Sequence, residues 1–207
     1  MNTPCCTAAA VEHVLRAAAP VSTAVVMAFV ARNFAQVGGD RTVAARRPSV
    51  VGTATMIGFL VLVYQLIHRR IGMLTVDDDH LRLGIEAIGA LLMVAGAAVN
   101  VLGRVSLGSN WANQATMYAD QSLVTSGVFA LVRHPLYSSL IAMFFGSALL
   151  FQNAAAALAT ALVFVPAMYY RASLEERLLS ARFDGYAAYQ KRVGMLFPRI
   201  VKSRGER

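Results

Sequence analysis

Residues 136–170, LYSSLIAMFFGSALLFQNAAAALATALVFVPAMYY, form two apolar runs that only Gln152 and Asn153 divide. The runs 136–151 and 154–170 are at the short end of the roughly 17–25 residues that a membrane-crossing helix needs. Because a chain in lipid must satisfy its own backbone hydrogen bonds, helices are favoured. The stretch therefore predicts a helical hairpin in a membrane, with a two-residue polar tip.

Three more apolar runs precede the hairpin, at residues 17–34, 50–67 and 83–102. The chain is 57% hydrophobic and 14% charged, whereas a soluble domain averages about 45–50% apolar and about 25% charged residues. We therefore predict one all-α domain over residues 1–207, an integral membrane bundle of about five transmembrane helices. Glu86 begins the third run and is expected to lie hydrated near the membrane surface. No removable signal peptide is expected.

Positive charge is distributed unevenly over the predicted loops. With five spans, fifteen of the nineteen Lys and Arg residues fall on one side of the membrane, and the positive-inside rule places that side in the cytoplasm. The sequence thus predicts a multi-pass protein with its N-terminus outside and its C-terminus in the cytoplasm. The net charge of +8 follows from this topology and from contact with anionic membrane lipid, so no nucleic acid partner is expected.

Two polar segments, 104–135 and 171–207, flank the hairpin and reach the same membrane face. They divide the chain into three N-terminal spans within 17–103 and a C-terminal half, 104–207, that contains the hairpin and ends in a cytoplasmic tail. Pro135 suits the first turn of a helix, and the free N–H groups of such a helix end attract anions. Arg133 and His134 add donors there, although both residues would also serve as a simple interfacial anchor.

The tail supplies carboxylates and aromatic rings to this face. Arg171 and Glu175 are four residues apart and would share one side of a helix, while aromatic faces attract cations such as sulfonium. A ligand with a carboxylate, a cation and a flat base would suit these groups. S-adenosylmethionine and NADPH both remain candidates, and the chain has no G-x-G-x-x-G motif, P-loop or metal-ligand spacing that would indicate another cofactor.

The blocks SLVTSGVFALVRHPLYSS, residues 122–139, and EERLLSARFDGYAAYQKRVGMLFP, residues 175–198, carry a resemblance. Together they resemble the isoprenylcysteine carboxyl methyltransferase family of integral membrane enzymes, which is related to the phospholipid N-methyltransferases. The resemblance covers about residues 110–200. The chain departs from the family pattern at Phe129, where a tyrosine is usual, at Ser139, where a glycine is usual, and at FDGY, which is one residue tighter than the family spacing.

The resemblance implies a pocket for S-adenosylmethionine at the cytoplasmic face and makes residues 104–207 the catalytic half, with a cofactor-binding tail. It assigns residues to the cofactor and to the substrate. The cofactor-binding group is Gln114, Gln121, Ser122, Leu123, Val124, Phe129, His134, Pro135, Leu136, Tyr137 and Glu175. For catalysis, Arg171 matches an arginine on the substrate side and would steer an acceptor carboxylate. If the acceptor is an amine, Glu176 or a tyrosine would orient it, a role that does not come from the resemblance. No metal site is implied.

The predicted function is S-adenosylmethionine-dependent methylation of a membrane-partitioned lipophilic acceptor, with carboxyl O-methylation of an isoprenylcysteine-like or other lipophilic substrate favoured. The alternatives are a phospholipid N-methyltransferase, an NADPH-dependent reductase of the sterol type, and a non-catalytic membrane adaptor. Expected partners are the methyl acceptor and membrane lipid. The acceptor's identity and the oligomeric state are left open by the sequence.

Overall fold

The computed structural model describes residues 4–36, 43–46, 52–110, 116–118 and 122–199. The predicted helical membrane bundle is confirmed, with one addition, a short antiparallel pair of strands. The helices and strands are α1 (Pro4–Gln36), β1 (Val43–Arg46), α2 (Thr53–His68), α3 (Asp79–Leu107), β2 (Thr116–Tyr118), α4 (Pro135–Leu150), α5 (Ala154–Ala159), α6 (Val165–Arg182) and α7 (Tyr186–Arg192).

The described residues of the five predicted apolar runs lie largely on helices, and residues 50 and 51 of the second run lie outside the described ranges. Within the described ranges, three helical stretches are long and apolar enough to cross a bilayer: Ala9–Asn33, Asp79–Leu107 and Ala154–Arg182. Two further apolar helices, Thr55–His68 and Pro135–Leu150, are shorter. The third long stretch includes a π-helical segment, Thr160–Phe164. Pro166 follows this segment, and because proline has no N–H and its ring crowds the carbonyl four residues earlier, an ordinary α-helical turn is disfavoured there.

The hairpin tip forms as the sequence predicts. Gln152 takes a positive φ of 49°, which turns the chain after α4. Asn153 then caps α5, because its side chain accepts a hydrogen bond from the Ala156 N–H at 2.8 Å. Its amide group also donates to the carbonyl of Ile71 at 3.0 Å, so the tip is fastened to the loop between α2 and α3.

Alternate loops meet at the same end of the bundle. At one end β1 pairs with β2, which joins the segments that follow α1 and α3. At the other end Leu74 N–H donates to the Gln152 carbonyl and Ala154 N–H donates to the Gly72 carbonyl, both at 2.8 Å. This arrangement is the one that a five-span topology requires, while the assignment of either end to the cytoplasm stays a prediction.

Helices α3 and α4 pack with their backbones in close approach. A Cβ on Gly89 would lie 2.5 Å from the Leu150 nitrogen, and a Cβ on Gly146 would lie 2.8 Å from the Gly89 carbonyl oxygen. Only hydrogen fits at either position. Small residues serve this purpose in membranes, where helix association depends on close van der Waals packing because lipid supplies no hydrophobic drive.

Replacing Gly89 with alanine should destabilise the bundle although alanine is the better helix former. Overpacking of this kind costs about 1–3 kcal/mol. Gly84 is the matched control, since it lies on the same helix and a Cβ there would meet nothing within 4 Å. Thermal unfolding in detergent should show a lower midpoint for Gly89→Ala and an unchanged or higher one for Gly84→Ala. Equal midpoints would reject the close approach of α3 and α4.

Glu86 differs from its sequence-based prediction. The residue is fully buried rather than hydrated, and its Oε1 accepts from Arg16 and from Gln152, both at 3.1 Å. Arg16 also pairs with Glu12 at 2.7 Å. A buried charge is tolerated when it is paired and hydrogen-bonded, so the long α1 brings Arg16 to a carboxylate that hydropathy alone would place in water.

Helices α1 and α2 attach to different parts of the bundle. Val26 of α1 packs with Met93 of α3 and Met143 of α4. Phe59 of α2 instead contacts Phe144 and Phe164, with ring centroids 4.9 and 4.7 Å apart. A space therefore remains between α1 and α2, and α4 forms its floor.

Candidate functional site

The space between α1, α2 and α4 is a cavity of about 1010 Å³. Most of its wall is apolar, with Val26 from α1, Leu60 and Val63 from α2 and Leu140 from α4 among the lining residues. One end, which we call the polar end, is lined by Arg104, Arg133, His134, Tyr137, Arg171 and Glu175. Ligand pockets usually measure about 300–1,000 Å³, so this cavity is large enough for a lipid chain beside a polar ligand.

Helix α4 starts at the polar end as predicted. Pro135 occupies the first turn and His134 is the N-cap residue. The chain that follows α7 runs beside this start: Arg133 N–H donates to the Gly194 carbonyl at 2.8 Å, and His134 N–H donates to the Met195 carbonyl at 3.1 Å. The C-terminal tail thus binds the backbone at the mouth of the hairpin.

An ion pair between Arg133 and Glu176 holds the tail in this position. Arg133 Nε lies 2.6 Å from Glu176 Oε1, and both side chains are about nine-tenths buried. Gln190 donates to the other oxygen of Glu176 at 2.9 Å, while Arg133 also donates to the carbonyls of Gln190 and Val193. Glu176 does not line the cavity, so its position supports a structural role in the tail rather than contact with an acceptor amine.

Tyr137, Arg171 and Glu175 form a hydrogen-bonded triad on the cavity wall. The Tyr137 hydroxyl donates to Glu175 Oε1 at 2.5 Å and accepts from Arg171 Nε at 2.7 Å. Arg171 Nε is 3.4 Å from Glu175 Oε1, so the predicted shared helix face is confirmed. Arg171 is buried, whereas the Glu175 side chain remains 23% exposed, which leaves the carboxylate accessible from the polar end.

His134 lies between two carboxylates. Its Nδ1 is 3.6 Å from Glu175 Oε2 and its Nε2 is 3.4 Å from Glu176 Oε1, and its ring stacks on Tyr137 with centroids 5.7 Å apart. Burial disfavours the imidazolium, but hydrogen bonding and charge from Glu175 and Glu176 outweigh it and raise the pKa of His134 above its ordinary value. This histidine therefore adds positive charge to the site over a wider pH range than a free imidazole.

The two tyrosines of α7 pack inside the tail instead of facing a ligand. Tyr186 and Tyr189 are buried, and the Tyr189 hydroxyl donates to the Phe129 carbonyl at 2.5 Å. Burial raises the pKa of Tyr189 to about 12. Of the aromatic faces that the sequence suggested, Phe129 and Tyr137 line the cavity. The tight FDGY turn is accommodated between α6 and α7, where Tyr186 N–H donates to the Phe183 carbonyl at 3.0 Å.

The structure gathers most, but not all, of the predicted site residues. Seven of them line the cavity, namely Phe129, His134, Pro135, Leu136, Tyr137, Arg171 and Glu175. Ser122, Leu123 and Val124 lie outside its lining, although Ser122 N–H donates at 2.8 Å to the side chain of Asn110, which does line it. Gln114 and Gln121 lie outside the described residues.

Arg104 lines the polar end but was missed by the motif-based reasoning. It sits in the last turn of α3, before the two motif blocks at residues 122–139 and 175–198, and its Nε donates to Asn100 Oδ1 at 2.8 Å. A signal was available, because Asn100 continues the helical spacing of Met93 and Ala97 on the buried side of α3. A polar residue on such a stripe predicts a buried polar contact.

A family comparison covers the part of the chain that builds this site. Residues 85–185 match the model of the phospholipid methyltransferase family, and the match runs from α3 to the turn before α7. This segment is therefore similar to the family of integral membrane methyltransferases that are related to the isoprenylcysteine carboxyl methyltransferases. The predicted resemblance is confirmed.

One curated relative is similar over a shorter stretch. The chain is 36% identical over 89 residues to the cobalt-zinc-cadmium resistance protein CzcN of Cupriavidus metallidurans (strain ATCC 43123 / DSM 2839 / NBRC 102507 / CH34). The aligned part is 42% of this chain and 40% of that protein. The chain thus spans about two-fifths of the length of the relative, and the relative's role in metal resistance is a statement about that protein.

Proposed function

We propose that the protein methylates a lipophilic, anionic acceptor with S-adenosylmethionine as methyl donor. The family match supports a membrane methyltransferase. The observation that carries the more specific proposal is the single cavity that joins a cluster of ionised side chains to an apolar interior. Such a shape suits a polar methyl donor and a lipid-borne acceptor that meet at one end.

The polar end fits the chemical groups of the methyl donor. Glu175 presents a partly exposed carboxylate that would accept hydrogen bonds from an ammonium or ribose hydroxyl. The aromatic rings of Phe129 and Tyr137 line the same end and would attract a sulfonium. The raised pKa of His134 keeps a cationic donor available to a carboxylate. When bound, S-adenosylmethionine supplies an activated methyl group.

The protein's own residues would contribute mainly by aligning the acceptor with the methyl donor. A carboxylate acceptor would already be a nucleophile and would need no general base, so the new O–C bond would form as the C–S bond broke and no proton would move. Arg171 would orient the acceptor carboxylate through charge-assisted hydrogen bonds, while the apolar walls exclude water. Holding two reactants in line supplies much of the rate in such a reaction.

Charge at the polar end favours an anionic acceptor. Arg104, Arg133, His134 and Arg171 line this end, and among the described residues Glu175 is the lining carboxylate. An acceptor carboxylate or phosphate would meet favourable potential beside these cations. The family description makes phospholipid N-methylation the second candidate, with an amine acceptor beside a lipid phosphate.

Binding and transfer measurements on the purified protein in detergent test this proposal. S-adenosylhomocysteine should bind at equilibrium and NADPH should not. Labelled methyl groups from S-adenosylmethionine should then appear in N-acetyl-S-farnesylcysteine rather than in phosphatidylethanolamine. Labelling of phosphatidylethanolamine alone would establish the second candidate. Binding of NADPH alone would support the reductase, and binding of neither ligand by folded protein would support the adaptor.

A further inference from the structure

A buried hydrogen-bond chain crosses from α4 to α3 directly beside the cavity. Asn100 is fully buried, and its Nδ2 donates to Ser139 Oγ at 2.8 Å. The Ser139 hydroxyl in turn donates to the Leu136 carbonyl at 2.8 Å. Because Nδ2 faces Ser139, the amide oxygen faces the other way, where it accepts from Arg104 Nε at 2.8 Å.

This chain of hydrogen bonds sets the orientation of the Arg104 guanidinium. A buried amide needs partners for both its nitrogen and its oxygen, and here each has a side-chain partner. The guanidinium is planar and rigid, so fixing Nε fixes the direction of its remaining N–H groups. Asn100 is a neutral partner, so this bond orients the guanidinium without cancelling its charge.

The end of α3 places Arg104 at the polar end of the cavity. The helix stops at Gly108, which has a φ of 49° and donates its N–H to the Arg104 carbonyl. Arg104 lines the cavity together with Arg171 and Glu175. It belongs to a different helix from these two residues, so it approaches a bound ligand from another side.

We propose that Arg104 binds the anionic headgroup, carboxylate or phosphate, of the lipophilic acceptor, and that Asn100 and Ser139 are its positioning residues. This inference rests on the proposed function and deepens it. Glu176 holds Arg133 in the tail, and Glu175 and Tyr137 engage Arg171. Arg104 lines the same cavity as Arg133 and Arg171, so the headgroup would meet a third guanidinium, which the bond to Asn100 helps to orient.

The Ser139 hydroxyl fixes the orientation of the Asn100 amide. An alanine or a glycine at this position would offer Asn100 no hydroxyl. The Asn100 Nδ2 would then keep only its longer contact with the Leu136 carbonyl, at 3.4 Å, so the amide would be held less firmly. Serine at this position thus converts a packing contact between α3 and α4 into an orienting contact for Arg104.

Four probes test the assignment on the full-length protein in detergent: hexadecyl phosphate, palmitate, hexadecanol and S-adenosylhomocysteine. Arg104→Gln should weaken binding of the two anionic lipids about tenfold, since a charge-assisted hydrogen bond is lost. The affinities for hexadecanol and S-adenosylhomocysteine should change by less than about twofold, a difference too small for the loss of such a bond. Arg104→Lys should restore part of the loss, because it keeps the charge without the planar fork. Comparing the loss of affinity for palmitate with that for hexadecyl phosphate distinguishes a carboxylate site from a phosphate site.

A double-mutant cycle tests the positioning role. Ser139→Ala should weaken binding of the anionic lipids about threefold in the wild-type background. It should have no further effect on binding in the Arg104→Gln background, because Ser139 acts through Arg104. Arg82→Gln is the charge control, since it removes an arginine from the opposite end of α3. It should leave the binding of all four probes unchanged.

Three results would overturn the assignment. Equal losses of affinity for hexadecanol and for the anionic lipids would reduce Arg104 to a packing role. A loss of affinity confined to S-adenosylhomocysteine would assign Arg104 to the cofactor. Additive effects in the double-mutant cycle would show that Ser139 does not act through Arg104. Failure of the proposed function gives a different pattern: wild-type protein would then bind hexadecyl phosphate through Arg104 but would not bind S-adenosylhomocysteine.

Discussion

Arg133→Ala should cost about 3–5 kcal/mol of stability, the usual penalty for removing one partner of a buried ion pair. The Glu176 carboxylate would remain about nine-tenths buried without the guanidinium that now lies 2.6 Å away. The carbonyls of Gln190 and Val193 would lose a donor in the same step. We expect a lower thermal midpoint in detergent and rapid proteolysis after α6, because the tail would detach from the start of α4.

A double variant separates this penalty from the net value of the ion pair. Replacing both charges by apolar residues of similar volume, as in Arg133→Met with Glu176→Met, should recover much of the stability, because no buried charge is left unpaired. Arg82→Ala is the surface control: Arg82 pairs with Asp79 at 2.8 Å, but its side chain is 32% exposed and that of Asp79 is 71% exposed. Such pairs are worth about 0–1 kcal/mol. Equal losses in the single and double variants would contradict the proposed cause.

Detachment of the tail should also weaken ligand binding. His134 N–H donates to the Met195 carbonyl in the docked tail, and the imidazole of the same residue lies near Glu175 and Glu176. A free tail would release the loop that carries His134. The Arg133→Ala protein should therefore bind S-adenosylhomocysteine less tightly even at temperatures where the membrane helices remain folded.

Glu175→Ala should weaken the binding of S-adenosylhomocysteine by about tenfold to a hundredfold, the loss expected for one or two hydrogen bonds to a charged group. The carboxylate is the lining acidic group at the polar end among the described residues, and it is partly exposed, so it can reach a ligand. Isothermal titration of purified protein in detergent measures the change. The thermal midpoint should fall less than in Arg133→Ala, because Glu175 is less buried than Glu176.

Glu12→Ala is a closely matched control for Glu175. Each glutamate pairs with an arginine four residues away, and the two side chains are 25% and 23% exposed. Glu12 lies on α1 near Glu86, away from the polar end. The control should leave the affinity unchanged, and an unchanged affinity in Glu175→Ala as well would reject the cofactor site.

Arg171 provides the complementary test. If it orients the acceptor, Arg171→Lys should raise KM for the acceptor and lower kcat, while the affinity for S-adenosylhomocysteine changes little. The lysine keeps a positive charge near Tyr137 and Glu175 but cannot form a planar, two-pronged contact with a carboxylate. A loss confined to cofactor affinity would instead place Arg171 with Glu175 in cofactor binding.

Local patterns in the sequence determined the helices and several contacts within them. Hydropathy located the five apolar helices, and Gln152 and Asn153 marked the tip of the hairpin. Pro135 indicated the start of α4, and four-residue spacing placed Arg171 beside Glu175. These features depend on helix geometry over a few residues, so they can be predicted without knowledge of how the helices pack.

Contacts between helices were decided only in the tertiary structure. The pairs Arg133–Glu176 and Asn100–Ser139 join residues about forty positions apart, and hydropathy does not specify which polar groups will meet. The burial of Tyr189 and Glu86 depends in the same way on docked partners.

The physical reason is that such contacts require the rotation and depth of each helix against its neighbours. The close approach of Gly89 and Gly146 sets this register for α3 and α4, and through it the position of Arg104 at the cavity. Composition and spacing determined that this chain is a helical membrane protein with a polar site at one end. The packing of the helices decided which side chains form that site and which hold it together.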